Sequence, residues 1–291
     1  MRDVPVVGVI VLCAKPDELY VIQQHFDKKF TPSRALDQSM VCYDLPPRGD
    51  AAPQVMVVAH CVQMGNMYSA SSAGFLIATL KPNLVIFVGT AGSLDPAKCG
   101  IGDVVVPDLG CTTKYFDKIS ELGENDPHRL ATDLRPVGHD GKKYVLGRRD
   151  DQIKLTTASR AFITQMRAAE GPAIEELLEH FVVGEKSTKA KIKFDTKIFS
   201  WDMVLDSSHY RDHLRAELDR KVFAVDMESF GFLAAIEQFQ EKPYNRTVSG
   251  IVVRGISDVC GDKATSDDDG RNALAMRNAS VVASELVLRA Y

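Results

Sequence analysis

Gly250-Ile251-Val252-Val253-Arg254-Gly255-Ile256-Ser257-Asp258 decides how this chain folds. Its apolar start reads as a buried strand. Within five residues of that run come an arginine, a serine and an aspartate. Ligands of open α/β sheets bind at the carboxyl ends of parallel strands. An aspartate set there is either a solvated loop or cap residue, or a sheltered proton donor.

Three other segments have the same form, an apolar run ending in small or charged residues. They are Ala14-Lys15-Pro16-Asp17-Glu18 after Val6–Cys13, Gly89-Thr90-Ala91-Gly92-Ser93 after Leu84–Val88, and Asp226-Met227-Glu228-Ser229 after Lys221–Val225. Between the runs lie helical patterns at Asp17–Phe26, Asn66–Leu80, Glu228–Phe239 and Asn272–Arg289. Further strands are expected at Val55–Cys61 and Gly102–Pro107. This alternation predicts an α/β fold with a mixed or parallel sheet. In the last helix Ala275, Met276, Ala279, Val282, Ala283, Leu286 and Val287 recur at helical spacing and read as core.

The middle, about 112–200, is less regular. It holds a helix candidate at Ala158–Ala169 and a return to the sheet over Asp195–Leu205. Residues 1–291 are taken as one domain carrying this insertion. Asp267-Asp268-Asp269 is expected to favour the N-terminus of the last helix.

Composition narrows the function. The 291 residues are 45% hydrophobic and 25% charged, ordinary for a soluble globular protein. Net charge is −4, against general nucleic-acid binding, which needs a basic surface. No apolar run reaches the ~18 residues of a membrane span, and Val6–Leu12 reads as a core strand, not a signal peptide. The six cysteines have no CxxC spacing and are expected to be buried and reduced, which fits a cytoplasmic location. The seven histidines show no HExxH, so no metal is expected. The GTAG loop is not a dinucleotide fingerprint, and no cofactor is expected.

Taken together and in order, the four segments resemble the nucleoside phosphorylase superfamily, in particular its 5′-methylthioadenosine/S-adenosylhomocysteine nucleosidase branch. The resemblance covers roughly 6–110 and 195–290. It implies a three-layer α/β/α fold around a mixed central sheet. It also implies cleavage of the N-glycosidic bond of a purine (adenine) nucleoside such as methylthioadenosine, adenosine or an adenine nucleotide. The transition state would resemble a ribosyl oxocarbenium ion, which calls for a proton on the leaving purine, a nucleophile and stabilisation of the sugar's charge.

On this resemblance Asp258, following Ser257, is the general acid toward purine N7. Glu228 grips the ribose hydroxyls above Met227, beside Asp226, where a glutamate is usual. Glu18, four residues after Ala14, organises an attacking water with Arg254 and Thr90 nearby. Gly89-Thr90-Ala91-Gly92 allows close backbone approach to a ligand. Val204 and Leu205 flank the base, in a strand where Trp201 stands at a common glycine position. Met64 borders the 5′ substituent, and Gly65 opens a helix onto a polar group.

Plainer readings stand beside these. Asp258 could be a turn cap, Glu228 a first-turn acid favoured by the helix dipole, and Glu18 a solvated helix residue. A phosphorylase, with phosphate as nucleophile, and a non-catalytic nucleoside-binding protein are the alternatives to hydrolysis. Apolar Phe87, where bacterial purine phosphorylases place an arginine, favours water. Lys142-Lys143 and Arg148-Arg149 could reach a substrate phosphate or simply form a solvated basic surface. The expected partner is the small-molecule nucleoside or nucleotide, in a homodimer or larger homo-oligomer.

Overall fold

The computed structural model describes residues 6–33, 41–47, 52–121, 144–183, 186–241, 244, 247–261 and 270–291. Asp126–Arg129, Lys142-Lys143, the side chains of Arg148 and Arg149, and Asp267–Asp269 lie outside the described residues. In chain order the elements begin with β1 (Val6–Cys13), α1 (Pro16–Phe26), β2 (Val41–Asp44), β3 (Gln54–His60), α2 (Asn66–Leu80), β4 (Leu84–Ser93) and β5 (Val104–Val105). The middle holds β6 (Cys111–Glu121), β7 (Tyr144–Ile153), α3 (Thr157–Glu175), β8 (Phe181–Val183), β9 (Lys186–Thr188) and β10 (Ile192–Lys193). The chain closes with β11 (Lys197–Ser200), α4 (Ser208–Glu217), β12 (Val222–Asp226), α5 (Ser229–Gln240), β13 (Ser249–Asp258) and α6 (Arg271–Ala290).

The central sheet is mixed and runs β10-β5-β13-β4-β12-β11-β6-β7, with β1 beside β4, β3 beside β1, and β2 at the edge of β3. Strand β4 decides the geometry. One of its edges pairs with β13 in parallel over nearly its whole length. Its other edge is shared: β1 runs parallel to it as far as Leu12 beside Phe87, and β12 joins antiparallel only at Gly92 and Ser93. Between these two partners, Val88–Ala91 has β13 alone. The sheet therefore parts at the carboxyl ends of β1, β4 and β13, which is where a crevice forms in such folds.

Helices cover both faces. On one side α2 packs on α5, and Phe87 of β4 stacks on Phe232 of α5 at 5.1 Å. On the other, α6 packs on β13 and α1 packs on α6. At Gly255 a β-carbon would overlap the Ala275 carbonyl of α6, so only glycine lets this helix lie so close to the strand. Every member of the α6 apolar stripe is buried. Each large apolar side chain so buried contributes about 1.5–3 kcal/mol.

The expected elements at both ends of the chain are present within one or two residues, with β4 and β13 running further into the crevice than their apolar runs. Gly102–Pro107 yields a strand of only two residues, Val104 and Val105, because Asp103 turns away. Its carboxylate accepts the amides of Gly100 at 2.9 Å and Lys191 at 2.8 Å. The irregular middle conceals a long antiparallel hairpin, β6 with β7, which joins the main sheet through β6 and β11. Polar and charged residues are frequent in both strands, so hydrophobic runs do not announce the hairpin. All six cysteines are free and buried.

Candidate active site

Arg254 is the centre of the crevice floor. It sits within β13, opposite Gly89 of β4, and is fully buried. Its Nε lies 2.8 Å from Asp226 Oδ2, and its Nη2 donates to Glu228 Oε2 at 3.3 Å. Its guanidinium carbon stands 4.5 Å from the centre of the Phe87 ring, a cation–π contact. Room for the group comes from Gly89, where a β-carbon would overlap Arg254 Nη1. Burial alone would favour loss of the charge, but the carboxylates of Asp226, Glu228 and Glu18 outweigh it and hold Arg254 protonated.

The three carboxylates reach this arginine from separate elements. Glu18, in the first turn of α1, is buried, which excludes the solvated helix residue. Its Oε2 accepts the amides of Ala14 at 2.9 Å and Lys15 at 3.2 Å, locking the turn that leaves β1. Burial pushes its pKa up, against the pull of Arg254 and Lys15. Glu228 caps α5 from the outside of the helix, with φ −130°. Its Oε1 accepts the Gly65 amide at 3.2 Å, and its carbonyl accepts the Ser69 hydroxyl at 2.7 Å. Burial first, then the nearby charges of Asp226 and Glu18, raise its pKa from 4.5 to about 7 despite Arg254.

Asp226 has a different task from its neighbour. Its Oδ1 accepts the amides of Ser229 at 3.2 Å and Glu228 at 3.4 Å, and Oδ2 accepts the Ser229 hydroxyl. Its oxygens are thus engaged in starting α5 and pairing Arg254, and it presents little to a ligand. Asp258 is also buried. Its Oδ1 accepts the Cys260 amide at 2.9 Å and its Oδ2 lies 2.9 Å from the Ser257 hydroxyl. Cys260 takes φ +56° to make this contact, an uncommon conformation for a side chain of that type.

The sequence-selected residues converge on one cavity. Glu18, Glu228 and Asp258 line it, with Met64 and Met227. Thr90, Ala91 and Gly92 form another wall, and Asp226 and Ser257 complete it. Gly65 and Arg254 do not line it; they hold Glu228 from behind. Val204 and Leu205 line an adjoining smaller cavity with Met203, Gly92, Val225 and Met227. Leu205 is buried while Val204 is 56% exposed, so this smaller cavity is open on one side. Trp201 is buried and stacks on Tyr210 at 6.1 Å, supporting this loop from below.

Lys15, read from the sequence only as a possible charge near the first strand, also lines the main cavity, as do Ala14 and Val225, to which sequence assigned no site role. Asn66, read from the sequence with Gly65 as opening a helix suited to a polar ligand group, is engaged within the protein: its Oδ1 accepts from Ser200 at 3.0 Å and from the Gly231 amide at 2.8 Å, tying α2, β11 and α5 together behind Glu228.

A mixed sheet that parts over a buried arginine, ringed by carboxylates from several strand ends, defines a class of α/β ligand-binding fold. The phosphorylase superfamily model matches residues 8–290, and the chain belongs to that family. A search of curated proteins finds no match. Among solved structures, the chain resembles Helicobacter pylori 5′-methylthioadenosine/S-adenosylhomocysteine nucleosidase, complexed with a pyrrolidine-containing ligand, with TM-score 0.61 and 18% identity over 97% of this chain and 98% of that one. It also resembles Helicobacter pylori futalosine hydrolase, with TM-score 0.59 and 18% identity over 97% of each chain. A third is the Neisseria meningitidis 5′-methylthioadenosine/S-adenosylhomocysteine nucleosidase in complex with methylthio-immucillin-A, at TM-score 0.59 and 17% identity over 97% of this chain and 99% of that one. At these identities the likeness concerns the fold.

Proposed function

We propose that the protein hydrolyses the N-glycosidic bond of an adenine nucleoside or nucleotide. The observation that carries this reading is that Glu18, Glu228 and Asp258 line one cavity. Each has a distinct environment, and the reaction needs three distinct acidic roles.

The purine lies toward Val204 and Leu205, with its N7 edge at Asp258. As the C1′–N9 bond breaks, its electron pair moves to the purine, and Asp258 delivers a proton to N7. Glu228 accepts hydrogen bonds from the ribose hydroxyls, and its charge lies beside the developing cation. A water held by Glu18 attacks C1′ and passes its proton to that carboxylate. The products are free adenine and the sugar. Arg254 keeps Glu228 and Asp226 in place, and its charge is already matched by carboxylates. A dianionic nucleophile would meet a net acidic floor, and a neutral water does not, which supports hydrolysis over phosphorolysis. The homologous fold of nucleosidases solved with nucleoside-like ligands supports the substrate class.

The test is adenine release from adenosine, 5′-methylthioadenosine and AMP in phosphate-free buffer. Adenine is expected without phosphate. Release that depends on added phosphate would make the enzyme a phosphorylase, and tight binding with no turnover would make it a binding protein.

A further inference from the structure

Three cavities adjoin one another through shared lining residues. The first, about 20 Å³, is lined by Val204, Leu205 and Gly92. The second, about 80 Å³, shares Gly92, Asp226 and Met227 with it and holds the carboxylates. The third, about 500 Å³, shares Lys15, Glu18 and Thr90 with the second and extends to the start of α6. With the purine in the first and the ribose in the second, the third receives whatever the sugar carries beyond its ring. It is also the largest, so the substrate's remaining bulk belongs there.

We propose that this outer cavity takes a phosphate on the 5′ carbon, with Lys15 as its counter-ion; the inference rests on the nucleosidase reading above. Lys15 is the one cation lining either the second or the third cavity among the described residues. It is half-buried at their junction, and among the described residues it forms no ion pair. Its neighbour Glu18 does not neutralise it through contact, since Glu18 Oε2 is turned to the Ala14 and Lys15 amides. Across the cavity stands Asn272, in the first turn of α6 just after its N-cap Gly270. Val21, Ala273 and Met276 make the apolar part of the wall, and Asp17 stands exposed at the edge. An uncharged thioether would place an apolar group against the unpaired ammonium and leave the charge unmatched. A phosphate beside so many carboxylates, in turn, requires a cation at this point, and Lys15 is where one stands.

The experiment compares AMP, adenosine, 5′-methylthioadenosine and S-adenosylhomocysteine as substrates of the full chain in phosphate-free buffer, for the natural protein, Lys15→Met and Lys15→Arg. Expected is a kcat/KM for AMP at least tenfold above that for adenosine. Lys15→Met should cut that ratio by about tenfold, which is about 1.4 kcal/mol, and Lys15→Arg should keep most of it. A preference for 5′-methylthioadenosine or S-adenosylhomocysteine over AMP overturns the proposal. So does a Lys15→Met effect equal for AMP and adenosine. Free phosphate is the other source of the same chemistry. Formation of ribose 1-phosphate from adenosine and phosphate, with Lys15→Met raising the KM for phosphate, assigns Lys15 to the nucleophile and also overturns it. Calorimetric binding of AMP to Asp258→Asn, with and without Lys15→Met, separates the two readings. AMP binding through Lys15 with no adenine released from any substrate refutes the nucleosidase and keeps the phosphate site; adenine from adenosine but no Lys15-dependent AMP binding does the reverse.

Discussion

Strand β12 carries charge at both ends, and the two ends behave oppositely. At its start, on the surface, Lys197 pairs with Asp219 at 2.8 Å and Lys221 pairs with Asp195. Hydrogen bonds from these lysines hold both aspartates below the usual carboxylate range. At its finish, inside, Asp226 and Glu228 face Arg254. There burial outweighs the arginine and pushes Glu228 up. Carboxylates are therefore kept ionised by solvent and lysines at one end, while at the other Glu228 is kept near the point of protonation. Charge at a strand start is a surface matter; charge at the crevice is under tension, which catalysis can use.

The largest test of this contrast is Asp258→Asn against Asp219→Asn. A general acid contributes about 10²–10⁴-fold. Adenine release should fall by about that factor in the first variant, with an unchanged circular dichroism spectrum, and stay near normal in the second. Equal activity in the two would erase the distinction between the ends.

Arg254→Met comes next. It leaves Asp226, Glu228 and Glu18 buried without their shared cation, and breaking a buried ion cluster from one side costs about 3–5 kcal/mol. Chemical denaturation should show a loss of that order. A loss under ~1 kcal/mol would mean the carboxylates relax into water.

Glu228→Gln tests the sign of the tension. In the folded protein Glu228 titrates at about 7, above its ordinary 4.5, so the folded state binds more protons than the unfolded one between those values. Its contribution therefore declines as pH rises from 4.5 to 7 and is level above that. The variant should lack this decline, a difference on the order of 1–3 kcal/mol in the stability change between pH 5 and 7.5. The aspartates at the surface end have the opposite sign: their contribution is present at neutral pH and is lost as pH falls below the usual carboxylate range. In the natural enzyme, kcat/KM should rise with pH toward 7 as Glu228 ionises. A flat acid limb would remove Glu228 from the ribose.

The smallest effect belongs to Lys197→Ala. An exposed pair contributes little, and stability should change by no more than about 0.5 kcal/mol. A larger loss would show that the surface end of β12 matters as much as the buried one.

Much of this arrangement was legible in the residues. Period and breakers placed β1, α1, α2, β4, α5, β13 and α6, because each buries an apolar face and ends at a charged or small residue. The selected carboxylates came from the same strand ends and meet in one cavity. What was less legible has physical causes. Asp226 and Glu228 are two residues apart, both line the cavity and both face Arg254, yet Asp226 is tied to the Ser229 amide and hydroxyl while Glu228 accepts the Gly65 amide; spacing cannot separate them. Asn66 and Lys15 each look like an ordinary residue at a helix start. The β6–β7 hairpin pairs through its backbone and has little apolar pattern to reveal it.

The sequence by itself determined the order of strands and helices and the residue types delivered to the carboxyl ends, since hydrophobic period and local breakers are properties of contiguous residues. Tertiary structure alone decided that β4 parts company with β1 before β12 arrives, that Arg254 meets the charges of Glu18 and of the Asp226–Glu228 segment, two stretches far apart in the chain, and that Lys15 stands at the junction of two cavities. Those depend on which backbone edges pair across the sheet and on how far water is excluded, and neither is written in any one stretch of the chain.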